Sequence, residues 1–159
     1  MLTNFGGCAA PFNVFLTGIG LDTLELRMQR ACDNALELAK FISEQKNIQV
    51  NYPGLKNNPY HELAKTQFNN NFGTMFTIQL ENKENAFKLI NSLKFALNVS
   101  NIGDARTLVI HPASTIYFHE TEAEKINAGV TDDLVRISVG LEDISDLISD
   151  FEQALQKIF

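Results

Sequence analysis

The sequence predicts an α/β protein of the two-layer α+β type, in which amphipathic helices cover one face of a sheet of four to five short strands. Two patterns support this prediction: an apolar stripe at helical spacing over residues 23–45, and several short apolar runs bounded by Gly, Pro and Asn. With 159 residues, 45% of them hydrophobic, the chain is long enough to bury one core. We therefore predict a single domain over residues 1–159 with a mixed or mostly antiparallel sheet, preceded by a flexible leading segment at residues 1–7.

The longest predicted helix spans residues 23–45, where apolar side chains recur at alternating steps of four and three. Such a stripe can form a coiled-coil seam, but packing against a sheet is the interpretation we favour. Asn34 belongs to the polar residues predicted to cover the remaining surface of this helix. The apolar stripe consists of Leu24, Met28, Ala31, Ala35, Leu38 and Ile42. Shorter helices are predicted at residues 11–20, ending at a glycine, and at 60–68, 84–93, 121–128 and 144–158.

The last of the predicted strands is the most informative segment of the chain. Alternation along residues 134–139 places Val135, Ile137 and Val139 on one face and Arg136 on the other. A guanidinium in the middle of a sheet needs an anionic partner, which can be a ligand or a carboxylate of the same chain. The other predicted strands are 48–52, 74–80, 96–100 and 107–110.

The composition argues against several classes of partner. A net charge of −6 without any basic tract predicts no binding to nucleic acid or to an anionic membrane surface. No apolar run approaches the roughly 18 residues of a membrane span, and the first residues lack the features of a signal peptide. The two cysteines, Cys8 and Cys32, are expected to be reduced thiols. We expect a cytoplasmic protein without a membrane partner.

Few residues have the spacing of a known catalytic motif. The sequence contains no dinucleotide or phosphate-loop glycine pattern, and its three histidines are too far apart to predict a metal site. Asn101 follows a predicted strand, where its amide can bind a ligand or simply form a turn. Arg136 remains the main candidate for a site, with a structural ion pair as the alternative.

Two segments resemble a known family. Residues 101–115 (NIGDARTLVIHPAST) and 134–143 (LVRISVGLED) are similar to the C-terminal part of the Cys/Met-metabolism enzymes that depend on pyridoxal phosphate (PLP). Residues 11–28, 53–63 and 127–133 fit the same family, so the resemblance covers nearly the whole chain. It implies the small C-terminal domain of a fold-type I PLP transferase. Within the family, the Asn-Ile-Gly run that begins at Asn101 is most similar to the O-acetylhomoserine sulfhydrylase branch.

The resemblance implies roles for two residues. Arg136 would bind the α-carboxylate of an amino-acid substrate, and Asn101 would line the same pocket and help to orient that carboxylate. The reaction implied is the conversion of O-acetyl-L-homoserine and sulfide or methanethiol to homocysteine or methionine and acetate. One departure is visible, since Ile116 and Tyr117 stand where the family usually has Thr-His.

The resemblance also implies that other parts of the enzyme lie outside this chain. The family's Schiff-base lysine follows a Ser-x-Thr pattern, which the sequence lacks. We therefore expect PLP to act in the complete enzyme without binding covalently to this chain. The implied partners are an amino-acid substrate, the N-terminal large domain and further copies of the complete enzyme in a homo-oligomer.

Three other interpretations of the same residues stay open. The chain can belong to another branch of the family, such as the cystathionine γ-synthases or methionine γ-lyases. It can be a non-catalytic module that binds an amino acid through Arg136 and Asn101. It can also be a domain that serves mainly in assembly, through the long helix at residues 23–45.

Overall fold

Four antiparallel strands form the sheet of the protein, whose structure, a computed structural model, describes residues 6–159. In chain order the strands are β1 (Ile48–Asn51), β2 (Met75–Leu80), β3 (Leu108–Ile110) and β4 (Leu134–Ser138). Their spatial order is β1-β2-β4-β3, so β4 is hydrogen-bonded on both sides. Of the leading segment predicted at 1–7, residues 1–5 lie outside the described residues, and the two glycines that follow are exposed.

Six α-helices accompany these strands in the described part of the chain. The longest, α2, covers most of the long helix that the sequence predicts, and α5 begins with a capping box in which Thr121 and Glu124 bond reciprocally. None of the described helices combines the length and the apolarity needed to cross a membrane. The helices are α1 (Pro11–Asp22), α2 (Leu24–Ser43), α3 (His61–Gln67), α4 (Lys83–Ser92), α5 (Glu122–Asn127) and α6 (Ile144–Leu155).

Helices α2, α4 and α6 pack on one face of the sheet and form the core with it. On β4, the side chains of Val135 and Ile137 are fully buried in this layer. Their partners in register on β2 are Ile78 and Phe76, so the apolar residues of both strands share this face. The α/β fold predicted from the sequence is confirmed. The helices on one face are α2, α4 and α6, whereas the segment next to α5 borders the opposite face.

The segment at residues 96–100 does not form the predicted strand. Only Leu97 pairs there, in an isolated parallel bridge to Leu108. The amide of Ala96, like those of Lys94 and Phe95 before it, donates to the carboxylate of Asp150 on α6. The sheet therefore has four strands in the described residues.

Two features of α1 and α2 also differ from the sequence predictions. Helix α1 continues through Gly18 and Gly20 to Asp22 instead of ending at a glycine. On α2, Asn34 is buried, and its amide donates to the carbonyl oxygens of Gly140 and Glu142 at 3.1 and 2.9 Å. Asn34 therefore satisfies the backbone at the turn between β4 and α6, a role that periodicity alone does not reveal.

Candidate carboxylate-binding site

Arg136 lies at the middle of β4, on the sheet face opposite the helical layer. Its neighbours in register are Thr77 on β2 and Ile110 on β3. The residues on either side of it, Val135 and Ile137, are fully buried, whereas Arg136 itself is half-buried. The strand therefore presents a cation at the centre of the sheet, as its alternation predicts.

The guanidinium of Arg136 is only partly satisfied by the protein. Its Nη2 donates to the carbonyl oxygen of Asn101 at 3.1 Å, while its buried Nε has no hydrogen-bond acceptor among the described residues. None of the ion pairs found within residues 6–159 involves Arg136. Burial lowers the pKa of Arg136 below its ordinary value, because partial desolvation disfavours the charged form. An anion placed beside the accessible part of the guanidinium would supply the opposite charge that the described residues do not provide.

A cavity of about 360 Å³ opens beside Arg136 on the same face. Strand residues provide one wall, and the segments around α5 and the turn after β3 provide the other. Its size falls within the usual range of small-molecule sites. The lining residues are Asn51, Thr77, Gln79, Pro112, Ile116, Tyr117, Ala128, Gly129, Val130, Leu134 and Arg136.

A larger depression, of about 500 Å³, lies along β1 and β2. Glu81 and Asp133 line it together with Ile48 and neutral polar side chains, and no lysine or arginine is present in its lining. Two carboxylates without a cation would repel an anionic ligand. The smaller cavity at Arg136 is therefore the better candidate for binding a carboxylate.

Asn101 contacts Arg136 through its backbone and not through its side chain. The side-chain Oδ1 of Asn101 accepts a hydrogen bond from the N–H of Ile102 at 2.9 Å, and the residue is exposed. The N–H of Gly103 donates to the hydroxyl of Ser138, two residues along β4 from Arg136. Two side chains on one face of β4 thus hold the 101–103 loop beside the candidate site.

Glu142 fixes the far end of the same loop. Its carboxylate accepts hydrogen bonds from both the N–H and the hydroxyl of Thr107, and that hydroxyl accepts in turn from the N–H of Gly140. A Cβ at Gly140 would lie 2.5 Å from the carbonyl oxygen of Ala105, so only glycine fits at this turn. The loop next to Arg136 is therefore clamped to the turn that follows β4.

We expect Glu142→Gln to loosen this loop without unfolding the protein. An amide nitrogen cannot accept from Thr107, so the substitution should lower the free energy of unfolding by about 1–3 kcal/mol. Amide hydrogen exchange at Gly103 and Thr107 should accelerate more than exchange in α2. The control Glu62→Gln removes an exposed carboxylate on α3 and should change neither quantity. Unchanged exchange at both residues in Glu142→Gln would contradict this role.

Several cavity residues escaped the sequence analysis. Thr77 and Gln79 alternate with the buried Phe76 and Ile78 along β2, so strand periodicity could have placed them on the face of Arg136. Tyr117 lies on a turn without regular spacing, so periodicity could not place it in the cavity, although the sequence marks it together with Ile116 as a departure from the family pattern. Ile116 and Tyr117, which stand where the family usually has Thr-His, therefore both line the cavity.

The sequence model of the family described as Cys/Met metabolism PLP-dependent enzyme matches residues 1–156. A homocysteine synthase of Schizosaccharomyces pombe is 45% identical to the chain over 157 residues, which cover 98% of this chain and 37% of that protein. An L-methionine gamma-lyase of Fusobacterium nucleatum is 41% identical over 155 residues, covering 96% of this chain and 39% of the relative.

A solved structure from Campylobacter jejuni has the same fold. It carries the name O-acetylhomoserine (thiol)-lyase, holds N′-pyridoxyl-lysine-5′-monophosphate, and matches with a TM-score of 0.90 at 37% identity. The match covers 98% of this chain and 37% of that one, so the chain spans well under half the length of the relatives that it matches. By sequence and by structure, the chain belongs to the Cys/Met metabolism family of PLP-dependent enzymes.

Proposed function

We propose that this chain is the substrate-carboxylate-binding domain of a PLP-dependent enzyme that carries out γ-replacement. The substrates would be O-acetyl-L-homoserine and sulfide or methanethiol, and the products homocysteine or methionine and acetate. The observation that supports this proposal is that Arg136 lines a cavity of about 360 Å³ and takes part in none of the ion pairs found within residues 6–159. In O-acetyl-L-homoserine the α-carboxylate is the one free carboxylate that can bind at such a site.

In this proposal Arg136 acts by positioning. Its planar fork can hold both oxygens of a carboxylate, and each hydrogen bond with a charged partner contributes about 1.5–3 kcal/mol. The carbonyl oxygen of Asn101 accepts from the guanidinium and keeps it in place. The hydroxyl of Ser138 accepts from the N–H of Gly103 and keeps the adjacent loop in place. Fixing the carboxylate fixes the Cα–H of the substrate, and such orientation lowers the barrier to a later proton transfer.

The lysines of this chain do not have the surroundings that a PLP-binding lysine needs. Eight of the nine are exposed, and the half-buried Lys125 is paired with Glu122 at 2.9 Å. A nucleophilic lysine requires burial or a neighbouring cation to lower its pKa. We therefore assign the cofactor to the remainder of the complete enzyme, where it would serve as the electron sink of the reaction.

The isolated chain should consequently show no cofactor chemistry. We expect that adding PLP produces no new absorption band in the visible region and no turnover of O-acetylhomoserine. A stable band that disappears when one lysine is replaced by arginine would overturn this assignment. The measurement is an absorbance titration followed by gel filtration, with free PLP as the reference.

Activity is testable in a complete enzyme. We would join this chain to the portion of the C. jejuni relative that has no counterpart here, supply PLP, and identify the products by mass spectrometry. The proposal predicts homocysteine from O-acetylhomoserine and sulfide, and methionine from O-acetylhomoserine and methanethiol. A folded, PLP-loaded chimera that forms neither product would overturn it.

The lyase branch is the second candidate, favoured by the 41% identity to an L-methionine gamma-lyase. The same chimera separates the two reactions, because a lyase releases methanethiol from methionine without any added thiol. If that release is fast and O-acetylhomoserine is not converted, the chain belongs to a lyase. Arg136 would bind the α-carboxylate in either case.

A further inference from the structure

A cavity of about 410 Å³ is lined by α2, α3 and the loops on either side of α3. It shares no lining residue with the cavity at Arg136. The apolar part of its lining consists of Leu36 on α2, Leu55 and Phe72, of which Leu36 and Phe72 are half-buried. These side chains therefore offer accessible apolar surface in a concavity of the size that small molecules occupy.

Three lysines from three separate segments surround this apolar lining. Lys40 belongs to α2, Lys56 to the loop between β1 and α3, and Lys65 to α3. Among the described residues that line the cavity, none is acidic. The chain as a whole has a net charge of −6, so this concentration of positive charge is local. Such a patch attracts an anion.

Two of the three lysines have no ion-pair partner within residues 6–159. Lys40 is paired with Glu37 at 2.7 Å, whereas none of the ion pairs found there includes Lys56 or Lys65. A phosphate monoester carries a charge of about −1.5 to −2 at neutral pH and accepts hydrogen bonds strongly from ammonium groups. A carboxylate, with a single charge, would match only one of the two. The phosphate is therefore the better counterpart.

A stacked pair of rings lies next to the apolar lining. The imidazole of His61 and the ring of Phe72 have centroids 5.0 Å apart and planes inclined by 17°. Nδ1 of His61 donates to the carbonyl oxygen of Pro53 at 2.8 Å, which fixes the imidazole in this position. Aromatic rings pack favourably against other rings in offset or edge-to-face arrangements. The surroundings therefore favour a ligand whose apolar part is an aromatic ring.

The loop that carries Lys56 is held in place without any ligand. A Cβ at Gly54 would collide with the ring of Tyr52 and lie 3.0 Å from Cδ1 of Leu36, so the loop lies tightly against both side chains. Tyr52 is fully buried, and its hydroxyl donates to the carbonyl oxygen of Gly73 at 2.8 Å. A cavity that keeps its shape when empty loses less entropy on binding.

We propose that this cavity binds a phosphate monoester that carries an aromatic ring. The ring packs on the apolar lining and the stacked pair, and the phosphate meets Lys56 and Lys65. The phosphate is held by charge and not by a glycine-rich loop, in keeping with the absence of a phosphate-loop pattern from the sequence. The proposal depends neither on the role of Arg136 nor on the γ-replacement reaction.

Calorimetric titration of the chain with 1-naphthyl phosphate tests both parts of the ligand. 1-Naphthol keeps the ring without the charge, and inorganic phosphate keeps the charge without the ring. Because apolar burial and charge pairing both contribute, we expect naphthyl phosphate to bind at least about tenfold more tightly than either compound. Amide chemical shifts should change at Leu55 and Phe72, and not at Phe15 on the exposed apolar surface of α1.

A pair of double variants tests the role of the lysines. Lys56→Gln with Lys65→Gln should weaken the binding of naphthyl phosphate by about tenfold, because two charged donors are lost. The weak binding of naphthol should not change. Lys88→Gln with Lys157→Gln makes the same change of charge at two exposed lysines outside the cavity and should leave both affinities unchanged. Circular dichroism of each variant confirms that it is folded.

Two natural sources of such a ligand are distinguished by two further titrations. Adenosine 5′-monophosphate represents nucleotides, and pyridoxine 5′-phosphate represents relatives of the cofactor without an aldehyde that could react with lysine. The tighter binder of the two identifies the source.

Three outcomes would overturn the proposal. In the first, naphthyl phosphate binds no more tightly than naphthol. In the second, the control pair of substitutions weakens binding as much as the pair in the cavity, which would mean that only the net charge matters. In the third, the shift changes are confined to α1. Binding is measured without turnover, so a failure of the γ-replacement assignment leaves all three interpretable.

Discussion

Replacing Arg136 by lysine in the complete enzyme should lower kcat/KM for the amino-acid substrate by about a hundredfold or more. Lysine retains the charge but loses the planar pair of donors that matches a carboxylate. Removing one partner of a buried, hydrogen-bonded charge pair costs about 2–5 kcal/mol, and each 1.4 kcal/mol corresponds to about tenfold in rate. Arg136→Gln, which loses the charge as well, should be affected more strongly than Arg136→Lys.

How the loss in kcat/KM is divided between KM and kcat shows how the Arg136 side chain acts. If Arg136 only holds the carboxylate, KM should rise with little change in kcat; if it also orients the Cα–H, kcat should fall too. Lys88→Gln removes an exposed cation on α4 and should leave both constants unchanged. PLP absorbance and thermal stability of each variant confirm that it is folded and loaded. An Arg136→Gln enzyme with unchanged kcat/KM would exclude the carboxylate role.

The sequence was sufficient to place Arg136 because strand alternation has a strict period of two. Once residues 134–139 are taken as a strand, the burial of Val135 and Ile137 puts Arg136 on the opposite face, and the structure agrees. The loop at Asn101 was harder, since its contact with Arg136 uses a backbone carbonyl oxygen. Every residue has that group, so no side-chain pattern could have predicted the contact.

The remaining differences between prediction and structure involve groups that are satisfied by distant parts of the chain. Asn34 has the polarity of a surface residue, but the carbonyl oxygens of Gly140 and Glu142 give it partners in the interior. Local patterns do not reveal this role, because it depends on contacts between segments far apart in sequence.

Asp150 is the clearest case of a side chain that satisfies a distant segment of the chain. Of the substitutions considered, its replacement should have the largest effect on stability. The side chain is 3% exposed, and its carboxylate accepts from the amides of Lys94 and Phe95 at 2.8 Å and of Ala96 at 3.3 Å. Asp150→Ala would leave these donors without an acceptor, which costs about 1–3 kcal/mol for a donor that water cannot reach. Ala96 is buried, whereas Lys94 and Phe95 are exposed, so water compensates part of the loss at the latter two. We expect the free energy of unfolding to fall by about 3 kcal/mol, and Tm to fall by about 10 °C.

Two further variants separate the loss of hydrogen bonds from the loss of helix packing. Asp150→Asn keeps one acceptor oxygen at the same place and should retain part of the stability, whereas Glu152→Ala changes an exposed residue on the same helix and should alter Tm little. Because Ala96 is followed by the bridge between Leu97 and Leu108, amide exchange at Val109 should also rise in Asp150→Ala. If Asp150→Ala unfolds at the same temperature as Glu152→Ala, then packing of α4 and α6 holds this connection, and the carboxylate is dispensable.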